Sequence, residues 1–481
     1  MARSTVPASS VAAPGSQPYP KRWAAAIIMI VAALMDMIDG SIVNTALPSI
    51  GRGLHTDPAG LEWTVSAYLL GFACTLIIAG HLGDRYGRKK LFLSGTVSFA
   101  AASLASAAAV SPGMLIGARA VQGVAAAVLL PQVLASLRTM FDERERGKVF
   151  AIYGAVAGLA VAAGVLLGGV LTDWNLFGWG WRTIFAVNIP VALAATVFGA
   201  AWIPGSRERA GGRTDVPGNL VLAAAVVAIV LPLIQGRDYG WPAWGWVLLG
   251  AGVIALPGLA AYESARGIEH PLLPAALFRK PAFTAGLAVQ LIFYGGMSGF
   301  MLAFTVWLQS GQGYTPAQAG VLMVAFSAGT VLSAPMVDGL VAKVGRTLLI
   351  LGGLVMAAGF TWVRYATSHS APVHAGAWPL VPGLVVAGIG LGFLIIPLVN
   401  IVLTAVPAHQ SGGASGIFST AQQFGGALGV AVIGNVFFSH AAHGLTDAID
   451  HAGPWAIGAY LACALLCLAL PSNAGTHGDG A

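Results

Sequence analysis

The sequence predicts an all-α polytopic membrane protein with fourteen transmembrane helices, arranged as two six-helix bundles with two further helices between them. Hydrophobic residues make up 57% of the 481 residues and charged residues only 9%, whereas soluble domains carry about 25% charged residues. Fourteen apolar segments have roughly the length that a helix needs to cross a bilayer. In addition, one loop sequence occurs twice, which indicates an internal repeat.

The predicted helices follow one another along the chain with short loops between them. The first six span 23–47, 63–82, 91–110, 114–137, 149–171 and 184–203. The next two span 217–234 and 244–262, and the seventh is interrupted by Pro232. The last six span 283–308, 319–337, 348–366, 380–406, 416–438 and 455–470. Both ends of the chain are rich in small and polar residues and are predicted to be disordered tails.

The two bundles are predicted from the repeated loop. LGDRYGRKKLF at 82–92 follows the second span, and LVAKVGRTLLI at 340–350 follows the tenth. Each copy joins the second and third span of a six-span unit, so a substrate site is expected between the units. The predicted division is a tail (1–21), a bundle (22–205), an inserted helix pair (206–281), a second bundle (282–471) and a tail (472–481).

Lysine and arginine residues predict the orientation. Nineteen of the 24 lie in segments on the same predicted side as both termini, whereas Arg52, Arg182 and Arg237 lie in loops on the other side. Since basic loops face the cytoplasm, both termini are predicted to be cytoplasmic and the protein to span a plasma membrane. Arginine (18) outnumbers lysine (6), which favours a bacterial source with a GC-rich genome.

Composition and motifs also exclude several classes of protein. Cys74, Cys463 and Cys467 lie within apolar spans, so we expect neither a disulfide nor a metal site. The net charge of +6 is spread over short loops, which does not favour nucleic-acid binding. The sequence contains no phosphate-binding loop or nucleophile motif, and no loop exceeds about 20 residues. We therefore expect no cofactor, no appended sensor or ATP-binding domain, and no enzyme activity.

The loop after the second span carries the string GHLGDRYGRKK at 80–90. Its glycines permit a tight turn and a close approach of helices. Asp84 is expected to accept hydrogen bonds from the free N–H groups at the N-terminus of a neighbouring helix. Arg85 and Arg88 are expected to pair with acidic residues of another loop in one conformation only. The predicted conformational latch comprises Gly80, Gly83, Asp84, Arg85, Gly87 and Arg88. The alternative is a plain loop with anchoring cations.

At these residues the chain resembles the major facilitator superfamily. The span count and DGSIVNTALPSI at 39–50 resemble the fourteen-helix drug:proton antiporter family. Three further segments are similar to the sequences of this family: RAVQG at 119–123, WRTIFAVNIP at 181–190 and GGASGIFSTAQQFGGALGVAVIG at 412–434. The resemblance runs from about Arg22 to Leu470. It implies a monomer in the bilayer that exports lipophilic, often cationic compounds in exchange for protons by alternating access.

The fifth span departs from the family's antiporter motif. The family has Gly-Pro followed by a glycine pair, but here Gly164 is followed by Val165. The remaining glycines still permit close packing and bending of the helix. The predicted helix-packing motif comprises Gly154, Gly158, Gly164, Gly168 and Gly169.

The first and fourth spans contain charged residues, which are expensive inside a membrane and mark functional sites. Asp36 and Asp39 are three residues apart and share a helix face. Arg119 is predicted to lie at the same depth as Asp39. Burial and a second carboxylate favour the protonated form of an acid, whereas an arginine favours the ionised form. The three residues are therefore predicted to couple transport to protons.

Asp39 is favoured as the coupling residue because it matches the acid in the family's first span, whereas Asp36 has no such match. We expect the acid to be ionised when it attracts substrate from the cytoplasm, and protonation on the other side to release that substrate. The alternative is a structural pair of Asp39 and Arg119 that holds two helices together.

Polar side chains in other spans are predicted to line the substrate cavity. They are Gln122, Gln290, Tyr294, Asn400 and Gln422. Hydrogen bonding between helices is an equal alternative for each of them. The substrate also stays open, because a transporter of the same fold with one physiological substrate, such as an antibiotic biosynthetic product or a lipid, fits the sequence as well.

Overall fold

The computed structural model describes residues 19–175, 178–205, 216–236, 238–266, 275–369, 378–404 and 411–471. Within these ranges the regular elements are helices, and no residue is assigned to a strand. This confirms the predicted all-α fold. Apart from positions 19–21, the two predicted tails lie outside the described residues.

We number the fourteen long helices of the described ranges in chain order. The first six are α1 (Arg22–Leu54), α2 (Pro58–Tyr86), α3 (Arg88–Ala107), α4 (Pro112–Met140), α5 (Glu143–Trp174) and α6 (Gly180–Trp202). Next come α7 (Val216–Gln235) and α8 (Ala243–Arg266). The last six are α9 (Pro281–Val306), α10 (Pro316–Val344), α11 (Thr347–His369), α12 (Val381–Thr404), α13 (Ser411–His440) and α14 (Leu445–Leu466).

Short helical turns accompany some of these helices. α6 begins with a 3₁₀ turn and a four-residue helix before its main part, Asn188–Trp202. Ala275–Phe278 precedes α9, and a π turn, Trp307–Gly311, follows α9 directly.

Twelve of the described helices are long and apolar enough to cross a membrane, judged by length and composition alone. The helices α2 and α5 are not among these twelve. Each of the fourteen predicted spans overlaps one long helix. A count of fourteen membrane crossings nevertheless stays a prediction.

Local sequence explains where several helices begin and end. The Asp57 carboxylate accepts a hydrogen bond from the Gly60 N–H at 2.8 Å and so caps the start of α2. Thr315 begins α10 with a capping box. Gly87 ends α2 with a φ of 92°, and Gly345 ends α10 with a φ of 53°. These two glycines occupy the same position of the repeated loop, where only glycine adopts such a backbone easily.

Helix packing repeats between α1–α6 and α9–α14. In the first set α2 and α3 pack on α4, α1 packs on α5, and α6 packs on both α1 and α3. In the second set α10 and α11 pack on α12, α9 packs on α13, and α14 packs on both α9 and α11. Adding eight to each helix number converts the first set of pairs into the second. The packing thus follows the repeat in the sequence, while the exact domain boundaries stay predictions.

Helices from the two sets also pack against each other. α2 packs against α13, and α5 packs against α10. α7 and α8 pair with each other, and α7 lies beside α2 and α13. On α8, Val247 and Ile254 are highly exposed, as expected for a helix whose outer side faces lipid.

We call the end at which α1 begins the near face and the opposite end the far face. At the near face the Arg22 guanidinium donates to Glu145 at 2.9 Å and joins α1 to α5. This hydrogen bond holds the pKa of the Glu145 carboxyl below its usual value. The Lys89 ammonium donates to the Ala200 carbonyl at 2.8 Å and joins α3 to α6.

Two hydrogen bonds join the bundles toward the far face. The Gln309 amide donates to the Thr45 carbonyl of α1 at 2.6 Å. The Ala317 N–H, in the first turn of α10, donates to the Asp173 carboxylate of α5 at 3.0 Å. The second bond places a negative charge at a helix N-terminus, where the macrodipole favours it.

Candidate functional site

Asp39 and Arg119 meet where α1 passes α4. Asp39 has 0% of its surface exposed and Arg119 has 1%. The Arg119 Nη1 donates to Asp39 Oδ2 at 2.5 Å, and its Nε donates to the Thr64 carbonyl at 3.3 Å. The two residues that the sequence predicts at matching depth are therefore in direct contact. Removing one partner of such a buried ion pair costs about 3–5 kcal/mol, because the other charge stays buried.

Polar side chains from three helices complete the surroundings of Asp39. Gln122 Nε2 and Asn188 Nδ2 donate to Asp39 Oδ1 at 2.8 and 2.6 Å. The Ser103 hydroxyl accepts from Gln122 at 2.9 Å, and Gln122 Oε1 accepts from Arg119 at 2.8 Å. Both oxygens of Asp39 thus accept hydrogen bonds. The network joins α1, α3, α4 and α6 at one point inside the first bundle.

Gln122, predicted to line a substrate cavity, lies in this network and is fully buried. Its position three residues after Arg119 places the two side chains on one helix face, which is the signal that could have revealed the network. Ser103 was not predicted, because it lies in a helix with several other serines and nothing in the sequence distinguishes it.

Asp36 has different surroundings from Asp39. The Tyr68 hydroxyl of α2 donates a short hydrogen bond to Asp36 Oδ1. The Arg119 guanidinium carbon lies 4.3 Å from the centre of the Tyr68 ring, within the range of a cation–π interaction. Tyr68 therefore lies between Asp36 and the Asp39–Arg119 pair. Sequence reasoning missed Tyr68, because its pairing with Asp36 depends on how α1 and α2 pack.

The glycines of α5 lie at two helix contacts. A Cβ atom at Gly164 would lie 2.0 Å from Ser41 Oγ, and one at Gly168 would lie 2.5 Å from the Ile42 carbonyl oxygen. A Cβ atom at Gly169 would lie 2.3 Å from the Pro316 carbonyl oxygen. Gly164 and Gly168 thus let α5 approach α1, and Gly169 lets it approach α10. Gly154 and Gly158 lie in the same helix, and the structure describes their backbone but not what surrounds them.

The predicted latch residues lie at the end of α2 and the start of α3. A Cβ atom at Gly83 would lie 2.0 Å from Gln132 Oε1, so the Gln132 side chain of α4 packs directly on this glycine and would have to shift if a larger residue replaced it. The Arg88 guanidinium donates to the Ala135 carbonyl at 3.1 Å, near the end of α4. These contacts lie within the first bundle.

The other latch residues contribute less to the described contacts. The Arg85 guanidinium carbon lies 5.3 Å from the centre of the Tyr86 ring. A Cβ atom at Gly80 would meet nothing within 4 Å. For Asp84 the structure describes the helical backbone but not the side chain. A latch that changes between conformations therefore stays a prediction.

The remaining predicted cavity residues belong to the second bundle. The Gln290 amide of α9 donates to Gln422 Oε1 of α13 at 3.3 Å. Tyr294, one turn after Gln290, packs edge-to-face on Phe293 with ring centres 5.0 Å apart. The structure thus brings Gln290 and Gln422 together, and this hydrogen bond between helices also fits the structural alternative. For Asn400 of α12 the structure describes the helical backbone but not the side chain.

A separate cavity of about 470 Å³ opens at the far face. Its lining includes Arg52, Asp173 and Trp181. It lies near the ends of α1 and α5, apart from the predicted coupling residues. Among the described residues, no group of three or more histidine, cysteine or acidic side chains is placed to hold a metal ion.

The family assignment rests on the chain's similarity to known proteins. The sequence model of the Major Facilitator Superfamily matches residues 29–430. The chain is 36% identical over 441 residues to a protein of Streptomyces coelicolor named as a probable actinorhodin transporter, covering 91% of this chain and 76% of that protein. It is 35% identical over 451 residues to a puromycin resistance protein of Streptomyces alboniger, and the match covers 92% of this chain and 87% of that protein.

Solved structures agree with this at the level of the fold. A crystal structure of the peptide transporter POT in complex with sulfate superposes with a TM-score of 0.68. The two chains are 16% identical, and the superposition covers 92% of this chain and 94% of the other. With matching sequence, repeat and helix arrangement, this chain belongs to the Major Facilitator Superfamily.

Proposed function

We propose that this transporter exports drugs or antibiotics across the plasma membrane in exchange for protons. Membership of a transporter family makes it a carrier and not an enzyme. The names of its relatives, which concern actinorhodin transport and puromycin resistance, support export of such compounds. The substrates proposed are lipophilic and often cationic.

The buried charge network is the observation that carries this proposal. Asp36, Asp39 and Arg119 all lie inside the first bundle, and such residues within membrane helices mark pathways for ions or protons. An ionised acid attracts a cationic substrate, and its protonation releases that substrate. The protein would need no nucleotide for this cycle, because the proton gradient supplies the free energy.

The packing of the bundles supports alternating access between them. The hydrogen bonds from Gln309 to Thr45 and from Ala317 to Asp173 join the bundles toward the far face. Breaking them while forming contacts at the near face would move access from one side to the other. We place the near face and both termini in the cytoplasm, and we take the protein to act as a monomer.

A narrow substrate range is the second candidate. The name of the Streptomyces coelicolor relative, which refers to one antibiotic, favours it. Such a transporter would export a single biosynthetic product by the same mechanism. Comparing uptake of puromycin with uptake of an unrelated cationic dye separates the two candidates.

The proposal is tested in inverted membrane vesicles that contain the protein, with vesicles lacking it as the control. A pH gradient, acid inside, is imposed, and accumulation of the lipophilic cation ethidium is followed by fluorescence. We expect accumulation that stops when an ionophore collapses the gradient. Transport of ethidium or puromycin that persists without a proton gradient would contradict proton coupling. Uptake of puromycin alone would favour the narrow range.

A further inference from the structure

The two carboxylates of α1 differ in how firmly each is held. Asp39 accepts from Arg119, Gln122 and Asn188, and these bonds occupy both of its oxygens. It has no exposed surface. A carboxylate in this position has its charge compensated by a buried arginine and its lone pairs satisfied by buried amides.

Protonation of Asp39 would be costly. The neutral acid would leave the Arg119 guanidinium buried without a counter-ion, and an uncompensated buried charge costs several kcal/mol. The amide donors of Gln122 and Asn188 would also face an oxygen that carries a hydrogen. Asp39 is therefore suited to a fixed negative charge, which differs from the proton-coupling role that the sequence favours for it.

Asp36 is held by the Tyr68 hydroxyl, on Oδ1, and keeps 4% of its surface exposed. A hydroxyl can both donate and accept, so Tyr68 can pair with either the ionised or the protonated acid. Protonation of Asp36 leaves the pair of Asp39 and Arg119 intact. The protonation state of Asp36 can therefore change without disrupting the network.

Open space lies on the same face of α1 as Asp36. Gly40 is one helical turn further along, which places it on that face, and a Cβ atom there would meet nothing within 4 Å. Gly40 is also partly exposed. Asp36, with 4% of its surface exposed, is also more accessible than Asp39, which has none.

The charged and titratable groups around Asp36 come from four helices. They are Tyr68 of α2, Arg119 of α4, Tyr153 of α5 and Asp39 of α1 itself. Arg119 is directed to Asp39 and lies over the Tyr68 ring, at 4.3 Å from the ring centre. Asp36 is thus a buried acid beside open space whose carboxylate is bonded to a tyrosine hydroxyl, whereas that of Asp39 is paired with Arg119.

We infer that the proton and a cationic substrate compete for Asp36, whereas Asp39 stays ionised as the counter-ion of Arg119. This inference rests on the proposed function and names its substrate class, amines and quaternary ammonium ions. When the cation binds, the proton on the Asp36 carboxyl passes to water and the cation takes its place. On the other side a proton from water returns to the carboxylate and the cation leaves. Tyr68 positions Asp36 for this exchange.

The test measures binding of ethidium to the purified full-length protein over a series of acid to neutral pH values. If each bound cation displaces one proton, the dissociation constant of the wild type falls about tenfold for each unit by which the pH rises, over the acid range in which Asp36 is still protonated. Asp36→Asn should remove this dependence, and Asp36→Glu should restore it. Asp39→Asn should keep it. If Asp39→Asn does not fold, the double variant Asp39→Leu/Arg119→Leu replaces it, because it leaves no buried charge unpaired.

Each outcome has one meaning. A pH dependence that survives in Asp36→Asn overturns the inference, while gradient-driven uptake by the wild type would leave the proposed function standing. A wild type with neither pH-dependent binding nor gradient-driven uptake contradicts both. If Asp36→Asn is not recovered folded, Tyr68→Phe serves instead. It should shift the midpoint of the pH dependence and keep its slope, and an unchanged midpoint would overturn the inference.

Discussion

At the scale of single residues, Arg119 and Asp39 depend on each other. We predict that Arg119→Leu lowers the free energy of unfolding by about 3–5 kcal/mol, because Asp39 would stay buried without a counter-ion. The double variant Asp39→Leu/Arg119→Leu should recover much of this loss, since buried ion pairs can often be replaced by apolar residues. The measurement is the temperature at which the detergent-solubilised protein loses its monodisperse peak.

Measuring the wild type and the single variant Asp39→Leu as well completes a double-mutant cycle for the pair. If the double variant were as unstable as the sum of both single variants, Asp39 and Arg119 would not act as a pair. The stability assay needs no substrate, so it separates a structural role of the pair from a role in transport.

Sequence reasoning found part of the site at this scale, because a charge inside an apolar span is conspicuous. Asp36, Asp39 and Arg119 were identifiable on that ground. Tyr68 and Ser103 were not, since a tyrosine or a serine is ordinary in a membrane helix. Their roles follow from the packing of α1 against α2 and of α3 against α4, which spacing along the chain does not reveal.

At the scale of helices, the contact of α5 with α1 depends on glycine. We predict that Gly168→Ala reduces the yield of folded protein, because the added Cβ atom would lie 2.5 Å from the Ile42 carbonyl oxygen. Overpacking typically costs about 1–3 kcal/mol, and a backbone neighbour cannot move aside easily. The measurement is the amount of monodisperse protein recovered from membranes.

The matched control is Gly117→Ala in α4, where a Cβ atom meets nothing within 4 Å. Alanine favours a helix over glycine by about 1 kcal/mol in peptide scales, so this variant should be recovered at least as well as the wild type. Equal losses in both variants would show that glycine is not required for the approach of α5 to α1.

The helices themselves were largely predictable, since apolar length and turn-forming residues are local signals. The repeated loop places Gly87 and Gly345 at equivalent positions, and in the structure each glycine ends a helix. The missing proline after Gly164 is compatible with this packing, because Gly164 and Gly168 still contact α1 closely. The Val165 carbonyl accepts from the Thr45 hydroxyl at 3.1 Å and adds to the same contact.

At the scale of the whole molecule, the far face joins the two bundles through α5 and α10. We predict that a cysteine pair, Asp173→Cys with Ala317→Cys, becomes cross-linked by a short thiol reagent and stops transport, because the bundles can no longer separate there. Asp173 already accepts from the Ala317 N–H at 3.0 Å. The measurement is uptake before cross-linking, after it, and after reduction.

Each single-cysteine variant treated with the same reagent is the control. Uptake that continued at the wild-type rate after complete cross-linking would contradict opening at this face. Sequence reasoning did not predict this contact, since Asp173 and Ala317 lie 144 residues apart. Their contact depends on how the two bundles are placed against each other.

Proton release on substrate binding tests the role of Asp36 most directly. Ethidium is added to purified protein in weakly buffered solution, and released protons are followed with a pH indicator, with Asp36→Asn measured alongside. At acid pH, where Asp36 is protonated before binding, we expect release of about one proton per bound cation from the wild type, and none from Asp36→Asn. Equal release from both proteins, or binding to the wild type without release, would contradict this role of Asp36.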